Sequence, residues 1–262
     1  MSTTTTTLDL GAMLPQPSIA LPDLMAAASL QARTDRKYLL PLADAIDLLT
    51  LDLRSAEPDA RVLEIGGLRT FGYSSRYLDT PDLEAYRLAA HGRGNRYKVR
   101  TRTYLDSGEE WLEVKTRDPR GTTIKDRLAL GQADRRETRT FAPRTVQERT
   151  GHRVEALQTA LDVTYRRTTL FLPGSGSRVT VDTDLAWRDP DGVRRRLPDH
   201  AIVETKTTGR ACAVDHLLWR SGIRPRRLSK YTCGLALLRR EDLPTNRWHR
   251  TITALDTLST WS

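Results

Sequence analysis

Residues 96–117 read RYKVRTRTYLDSGEEWLEVKTR. In an extended chain, residues two apart share a face. Over 96–104 that spacing puts Lys98, Arg100 and Arg102 on one side, with Val99, Thr101 and Thr103 on the other. Over 110–117 it puts Glu113, Lys115 and Arg117 opposite Leu112, Val114 and Thr116. Period-two patterning marks strands, and from residue 61 it dominates the chain. RVLEIG (61–66), TFGYSSRYLDT (70–80), TTIKDRLAL (122–130), VTYRRTTLFL (163–172), SRVTVDTDLAWR (177–188) and AIVETKT (201–207) complete a set of eight. The sequence predicts helices over 44–53, 152–161 and 212–221, and a short one after Pro22-Asp23. Eight strands with few helices predict an α+β fold: an eight-stranded antiparallel β-barrel with peripheral helices.

The alternation recurs with the same chemistry. Lys125 and Arg127 face away from Ile124, and Tyr165 aligns with Arg167. Arg178, Thr180, Asp182 and Asp184 oppose Val179, Val181 and Leu185. Glu204 aligns with Lys206, and Arg33, Asp35 and Lys37 repeat the pattern. One such strand is ordinarily a solvated face of an antiparallel sheet, and Glu113–Lys115 or Glu204–Lys206 are then common same-face ion pairs. Periodicity leaves open whether the charges line an interior or face water. Energetics separates the cases: two like charges about 6 Å apart repel by roughly 3 kcal/mol at an effective dielectric of 20. Inward cations would therefore strain an empty protein, and a polyanion with a metal would relieve it.

Charge and cysteine content bound the partners. The 262 residues carry a formal charge of +9, from 42 basic and 33 acidic side chains, and only six of the basic residues are lysine. Residues 1–32 are net −2, whereas 91–127 are +4 and 188–240 are +8. No zinc-finger spacing, basic zipper or RNP-type aromatic run is present, so a polyanion is expected but not nucleic acid. Two cysteines, Cys212 and Cys233, exclude a disulfide framework. The first 32 residues lack Lys and Arg, fit neither a secretory signal nor a transit peptide, and read as a flexible tail with a short helix. No stretch approaches a membrane span. A cytoplasmic monomer is expected, with a main domain over 33–240 and a C-terminal tail or docked helix over 241–262.

The ordered runs RTDRKYLL (33–40), YSSRYLDTPDLEAYR (73–87), RYKVRTRTY (96–104), LEVKTR (112–117), TIKDRL (123–128), TYRRT (164–168), VTVDTDL (179–185), IVETKTTG (202–209) and RRLSKYTCGLALL (226–238) resemble the VTC domain. That is the polyphosphate polymerase domain of the triphosphate tunnel metalloenzyme, or CYTH-like, superfamily. The resemblance implies a basic tunnel that binds ATP and inorganic polyphosphate. It also implies transfer of the γ-phosphoryl group to the growing polyphosphate chain with a divalent cation, Mn or Mg. By position it implies Lys37, Arg100, Arg102, Lys115, Lys125 and Arg167 as phosphate-binding residues, with Tyr165 a tunnel tyrosine and Glu204 the metal-binding glutamate. Arg227 and Ser229 fall where the family places a basic residue and a serine near the phosphate, with Lys230 next to them. Lys98 and Lys206 share the charged faces and join the substrate-binding set, while Glu113, Asp182 and Asp184 are further metal candidates on hard-cation chemistry. Asp35 stands where relatives commonly carry Glu. Without a phosphate-sensor domain or membrane span, the chain resembles the stand-alone bacterial type. Two other functions fit the residues: a tripolyphosphate hydrolase and a non-catalytic polyphosphate or inositol-phosphate binding module. His152, His200 and His216 lack metal-ligand spacing, Trp187 and Trp219 read as core, and Arg194-Arg195-Arg196 reads as a surface loop.

Overall fold

The computed structural model describes residues 9–27, 34–118, 120–239, 243–245 and 247–261; Arg33 of the first charged run lies outside them. The period-two runs form strands. In chain order these are β1 (Ser18–Ile19), β2 (Thr34–Pro41), β3 (Arg61–Leu63), β4 (Thr70–Asp79), β5 (Arg96–Tyr104) and β6 (Glu110–Arg117), followed by β7 (Thr123–Ala129), β8 (Gln158–Leu172), β9 (Ser177–Arg188), β10 (Arg194–Leu197), β11 (His200–Thr207) and β12 (Thr260–Trp261). Ladders connect the twelve into one large, mainly antiparallel sheet, and β1 runs parallel to β3. The fold is α+β. Among the described residues the sheet is open, whereas the sequence predicts a closed barrel of eight strands. Eight strands of seven or more residues are present, and four short ones extend the pairing beside β8, β9 and β10.

The chain forms two compact units. The first comprises Met1–Phe71, Arg166–Asp184 and Pro198–Arg226; the second comprises Gly72–Tyr165, Leu185–Leu197 and Arg227–Ser262.

In the first unit β11 lies between β2 and β9. Tyr38 opposes Val203, and Val203 opposes Val181, so these residues share one face. That face packs on the helix Ala213–Arg220 through Val214, Leu217 and Leu218, and on a helical stretch over 42–56 through Leu48, Leu49 and Leu53. The stretch contains a π turn at Leu48–Asp52. Both helices are where apolar spacing predicts them. Leu10, Leu14, Ile19 and Leu24, in the N-terminal segment, are buried.

In the second unit β4, β5, β6 and β7 form an antiparallel meander. Its apolar face, with Tyr97, Val99, Leu112 and Val114, is covered by the helices Glu84–Ala90 and Arg135–Thr150 through Ala85, Ala142 and Val146. The second of these helices is absent from the sequence reading, because five arginines and an internal Pro143 obscure its apolar stripe. Asp134 caps it, its carboxylate accepting from the Glu137 N–H at 2.7 Å. Gly151, at φ 79°, ends it in the left-handed conformation that glycine adopts freely.

This corrects the helix expected over 152–161. The helix lies before that segment, and from Gln158 the chain is already β8, with Leu161, Val163 and Tyr165 buried in alternation. The expected loop at Arg194-Arg195-Arg196 is likewise a strand, β10. The C-terminal segment resolves as a docked helix, His249–Leu258, followed by β12 on β10. Helix Lys230–Leu238 crosses Trp187 so closely that a Cβ at Gly234 would collide with the indole, which fixes glycine there.

Candidate functional site

The register places the charges of each unit on the face away from its covering helices. In the second unit Lys98 opposes Lys115, which opposes Lys125; one row along, Tyr77, Arg100, Glu113 and Arg127 lie side by side. Arg102 stands in the next row. Residues directly opposite in a ladder share a face, so these three rows of β5, β6 and β7 carry six cations and a single carboxylate.

Glu113 organises this wall. It is 2% exposed. Its Oε2 accepts from Arg100 Nε at 2.7 Å, with Arg100 Nη2 at 2.6 Å and Arg102 Nε at 4.0 Å. Its Oε1 pairs with Lys125 Nζ. Burial alone would raise this carboxyl, but Arg100, Arg102 and Lys125 outweigh it and hold it at about 2. Burial lowers Lys125, with Glu113 opposing that shift.

Tyrosines brace the arginines. Arg100 donates to the Tyr77 hydroxyl at 3.0 Å and Arg102 to that of Tyr165 at 2.9 Å. Tyr165 stacks on Tyr73 with ring centroids 5.2 Å apart, Arg102 lies 5.3 Å from the Tyr73 centroid, and Lys230 Nζ lies 4.5 Å from that of Tyr165. Lys98 Nζ donates to Ser229 Oγ at 2.8 Å. That hydroxyl also caps helix Lys230–Leu238, accepting from the Thr232 N–H.

In the first unit the face opposite Tyr38 and Val203 carries Asp35, Lys37, Glu204 and Lys206 from β2 and β11, joined by Arg178, Thr180 and Asp182 from β9. Glu204 Oε2 lies 2.8 Å from Lys206 Nζ, and Oε1 lies 3.7 Å from Lys37 Nζ. Arg167 grips Asp182 with both ends of its fork, at 2.6 and 2.9 Å, and Asp182 is fully buried. Burial would raise Glu204, yet Lys37, Lys206 and Arg167 carry its carboxyl well below the usual range. Burial lowers Lys206, against the pull of Glu204.

The structure thus gathers Lys98, Arg100, Arg102, Glu113, Lys115, Lys125, Tyr165, Ser229 and Lys230 in the second unit, and Lys37, Arg167, Asp182, Glu204 and Lys206 in the first. Arg227 is exposed, as is Asp184, whose φ of 53° bends β9. Tyr73 and Tyr77 are additions. The alternation YSSRY places them on one strand face, but only the register shows that this face meets Arg100 and Arg102.

Among the described residues no three His, Cys, Asp or Glu side chains cluster tightly enough to cage a metal. A hard divalent cation is commonly held by one or two carboxylates together with substrate phosphate oxygens. Glu204 fits that donor set, since its partners are lysines rather than an arginine fork. Asp182 fits less well, because Arg167 takes both its oxygens. No helix of the described residues is long and apolar enough to cross a membrane.

No curated protein matches the chain. Among solved structures it is similar to the PH1819 protein from Pyrococcus horikoshii OT3, at 14% identity over 79% of this chain and 97% of that one, with a TM-score of 0.43. It is similar also to HpAC1 from Hippeastrum, a proposed adenylyl cyclase for which a dominant triphosphatase activity is described, at 15% identity over 80% of this chain and 96% of that one, with a TM-score of 0.45. The family model for the VTC domain matches residues 32–239 and so runs through every strand of both charged faces. The chain belongs to the VTC domain family.

Proposed function

We propose that this protein is a metal-dependent polyphosphate polymerase that transfers the γ-phosphoryl group of ATP to a growing inorganic polyphosphate chain. The observation that carries this reading is the register of β5, β6 and β7, which sets Lys98, Lys115 and Lys125 beside Arg100, Arg102 and Arg127 on one face. Phosphoryl transfer asks little covalent chemistry of the protein; it asks for charge neutralisation and in-line positioning. Both are within reach of these residues.

In this reading Arg100, Arg102, Lys115, Lys125 and Arg167 hold the triphosphate, the guanidinium groups by paired hydrogen bonds and the lysines as compact point charges. Lys37, Lys98, Tyr165, Lys206, Arg227, Ser229 and Lys230 complete the substrate-binding set. Glu113 belongs to positioning: both of its oxygens are spent on Arg100 and Lys125, whose headgroups it aims. Glu204 would hold the cation; Asp182 fixes Arg167, and Asp184 would be a further ligand. The bound cation would supply further neutralisation of the transferring group. The acceptor's terminal phosphate oxygen is already ionised and attacks the γ-phosphorus without a general base, while the bond from the γ-phosphorus to the β,γ-bridging oxygen breaks and ADP leaves. Closure of the eight long strands around the phosphate chain belongs to the same proposal, as does a cytoplasmic, monomeric protein.

Purified protein with ATP and Mn²⁺, analysed on a polyphosphate gel with orthophosphate assayed in parallel, tests the reading. A ladder of lengthening chains supports it. Orthophosphate without a ladder replaces it with a triphosphate hydrolase, and tight tripolyphosphate binding without turnover replaces it with a binding module.

A further inference from the structure

The run Arg194-Arg195-Arg196 finds no use in the reaction described above, and β10 splits its charges. Arg195 faces the helix-covered side, where it is 6% exposed. It meets Asp256 at 2.7 Å, donates to the Ser259 hydroxyl at 2.9 Å and lies 3.7 Å from the Trp261 ring centroid, which docks the C-terminal segment. Trp187 lies opposite Arg195, on that same buried side.

Arg194 and Arg196 face the other way and are exposed. Arg194 stands directly opposite Arg188 of β9, also exposed, and Ala186 stands opposite Arg196. Among the described residues no carboxylate pairs with Arg188, Arg194 or Arg196. Neighbouring strands are about 4.8 Å apart and same-face residues about 7 Å apart along a strand, so three guanidinium groups crowd one small area. Like charges directly opposite in a ladder weaken the sheet. Helix His249–Leu258 provides Asp256 for Arg195, where charge is neutralised internally; the outward arginines of β10 are left for negative charge from outside.

We propose that Arg188, Arg194 and Arg196 form a further anion-binding surface that takes linear inorganic polyphosphate, an inference that rests on the reading under Proposed function. A chain that is phosphate throughout satisfies each guanidinium wherever it lies. Single-stranded nucleic acid needs aromatic platforms as well, and Trp261, on the neighbouring β12, stands opposite Arg195, whereas Thr260 stands opposite Arg196.

The test compares the full chain with its R188Q/R194Q/R196Q variant. Equilibrium binding of long-chain polyphosphate, tripolyphosphate and an oligothymidylate is measured over a range of salt, with turnover of ATP alongside. The variant is expected to bind long-chain polyphosphate on the order of tenfold more weakly at low salt, with a log–log salt slope shallower by about two. Tripolyphosphate affinity and turnover stay as in the wild type. Unchanged affinity and slope for the long chain overturn the inference, and so does a larger loss for oligothymidylate than for polyphosphate. A wild-type protein that binds neither tripolyphosphate nor polyphosphate overturns the reading under Proposed function, and the inference falls with it.

Discussion

Glu113 and Glu204 are written into the sequence in the same way, each a glutamate two residues before a lysine on a strand: Glu113-Val114-Lys115 and Glu204-Thr205-Lys206. The fold treats them differently. Lys206 turns back onto its own glutamate at 2.8 Å, with Lys37 of β2 as the second, looser partner at 3.7 Å. Glu113 instead takes its cations across strands, from Arg100 on β5 and Lys125 on β7, while Lys115 is exposed. A carboxylate gripped by an arginine fork is a fixture. One whose direct ion pairs are with lysine ammonium groups can exchange them for a cation, since each lysine is a flexible point charge. Under the proposed function, this contrast is the reason to look for metal chemistry at Glu204 and positioning at Glu113.

The largest effect is expected from testing the two glutamates' roles by substitution. Glu204→Gln should lower metal-dependent turnover by about 10³-fold or more, in line with the several kcal/mol a cation supplies to phosphoryl transfer. Glu113→Gln should retain more of the rate, and the Mn²⁺ concentration for half-activation should stay where it is in the wild type. Equal losses with equal shifts in metal requirement would erase the distinction drawn between them.

Stability should reverse the ranking. Removing one partner of a buried ion pair costs roughly 3–5 kcal/mol, and Glu113→Gln should fall at the low end, about 3 kcal/mol, because the Lys125 side chain is 39% exposed and recovers water. The pH dependence has a definite sign. The Glu113 carboxyl is at about 2 in the folded protein, below its usual range, so its contribution is complete above the ordinary carboxylate pKa and disappears as pH falls toward 2. Urea unfolding should therefore show the gap between wild type and Glu113→Gln widest above about pH 5, narrowing steadily on acidification. A gap independent of pH would mean that the substitution disturbs packing and not charge.

Lys125 sharpens the comparison from the cation's side. Burial lowers its ammonium and Glu113 holds it up, so Glu113→Gln should lower it further. If Lys125 binds phosphate as a cation, metal-free tripolyphosphate affinity should fall away at lower pH in Glu113→Gln than in the wild type. Lys125→Arg in the same background should restore affinity on the alkaline side, because a guanidinium stays charged throughout. Calorimetric titrations across a neutral-to-alkaline series, about pH 7–10, would read this, and superimposable profiles would remove Lys125 from the phosphate-binding set.

What could be read beforehand follows the physics of each element. Alternation over Lys98–Arg102 and Glu113–Arg117 was enough to separate charged from apolar faces, because one strand's period depends on its own residues alone. Which strands pair depends on residues far apart in the chain, so the partners of Glu113 and the bracing by Tyr73 and Tyr77 were out of reach. Helix Arg135–Thr150 was hidden because most of its surface is polar and only Ala142, Thr145, Val146 and Thr150 are buried. The segment 152–161 reads as helical by apolar spacing, yet Gly151 has already ended the helix. In β10, Arg195 shows the same limit: nothing local says that one arginine of three will be buried against Asp256.

The smallest expected effects compare the helix-covered sides, where each unit buries an aspartate bonded to a tyrosine. Asp215 accepts from Tyr38 at 2.6 Å, from Thr205 at 2.7 Å and from the Cys212 N–H at 3.0 Å, with Arg36 at 3.3 Å as countercharge. Asp79 accepts from Tyr231 at 2.5 Å and from the N–H groups of Thr80, Ala85 and Tyr86. None of the donors to Asp79 is a cation, and burial raises its carboxyl in spite of all four. Tyr231→Phe should therefore cost more than Tyr38→Phe, about 2 against about 1 kcal/mol at neutral pH, the larger figure being that of a hydrogen bond to a charged group without other compensation. The Tyr231 hydroxyl stabilises the ionised form, so its loss should matter less once Asp79 is protonated. Because the folded carboxyl titrates above its ordinary range, the Tyr231→Phe deficit should shrink as pH falls from about 7 toward about 4. The Asp215 network carries its own arginine and should show the smaller deficit of the two at neutral pH. A Tyr231→Phe deficit that stays constant over that whole range would mean that Asp79 is already neutral in the native protein.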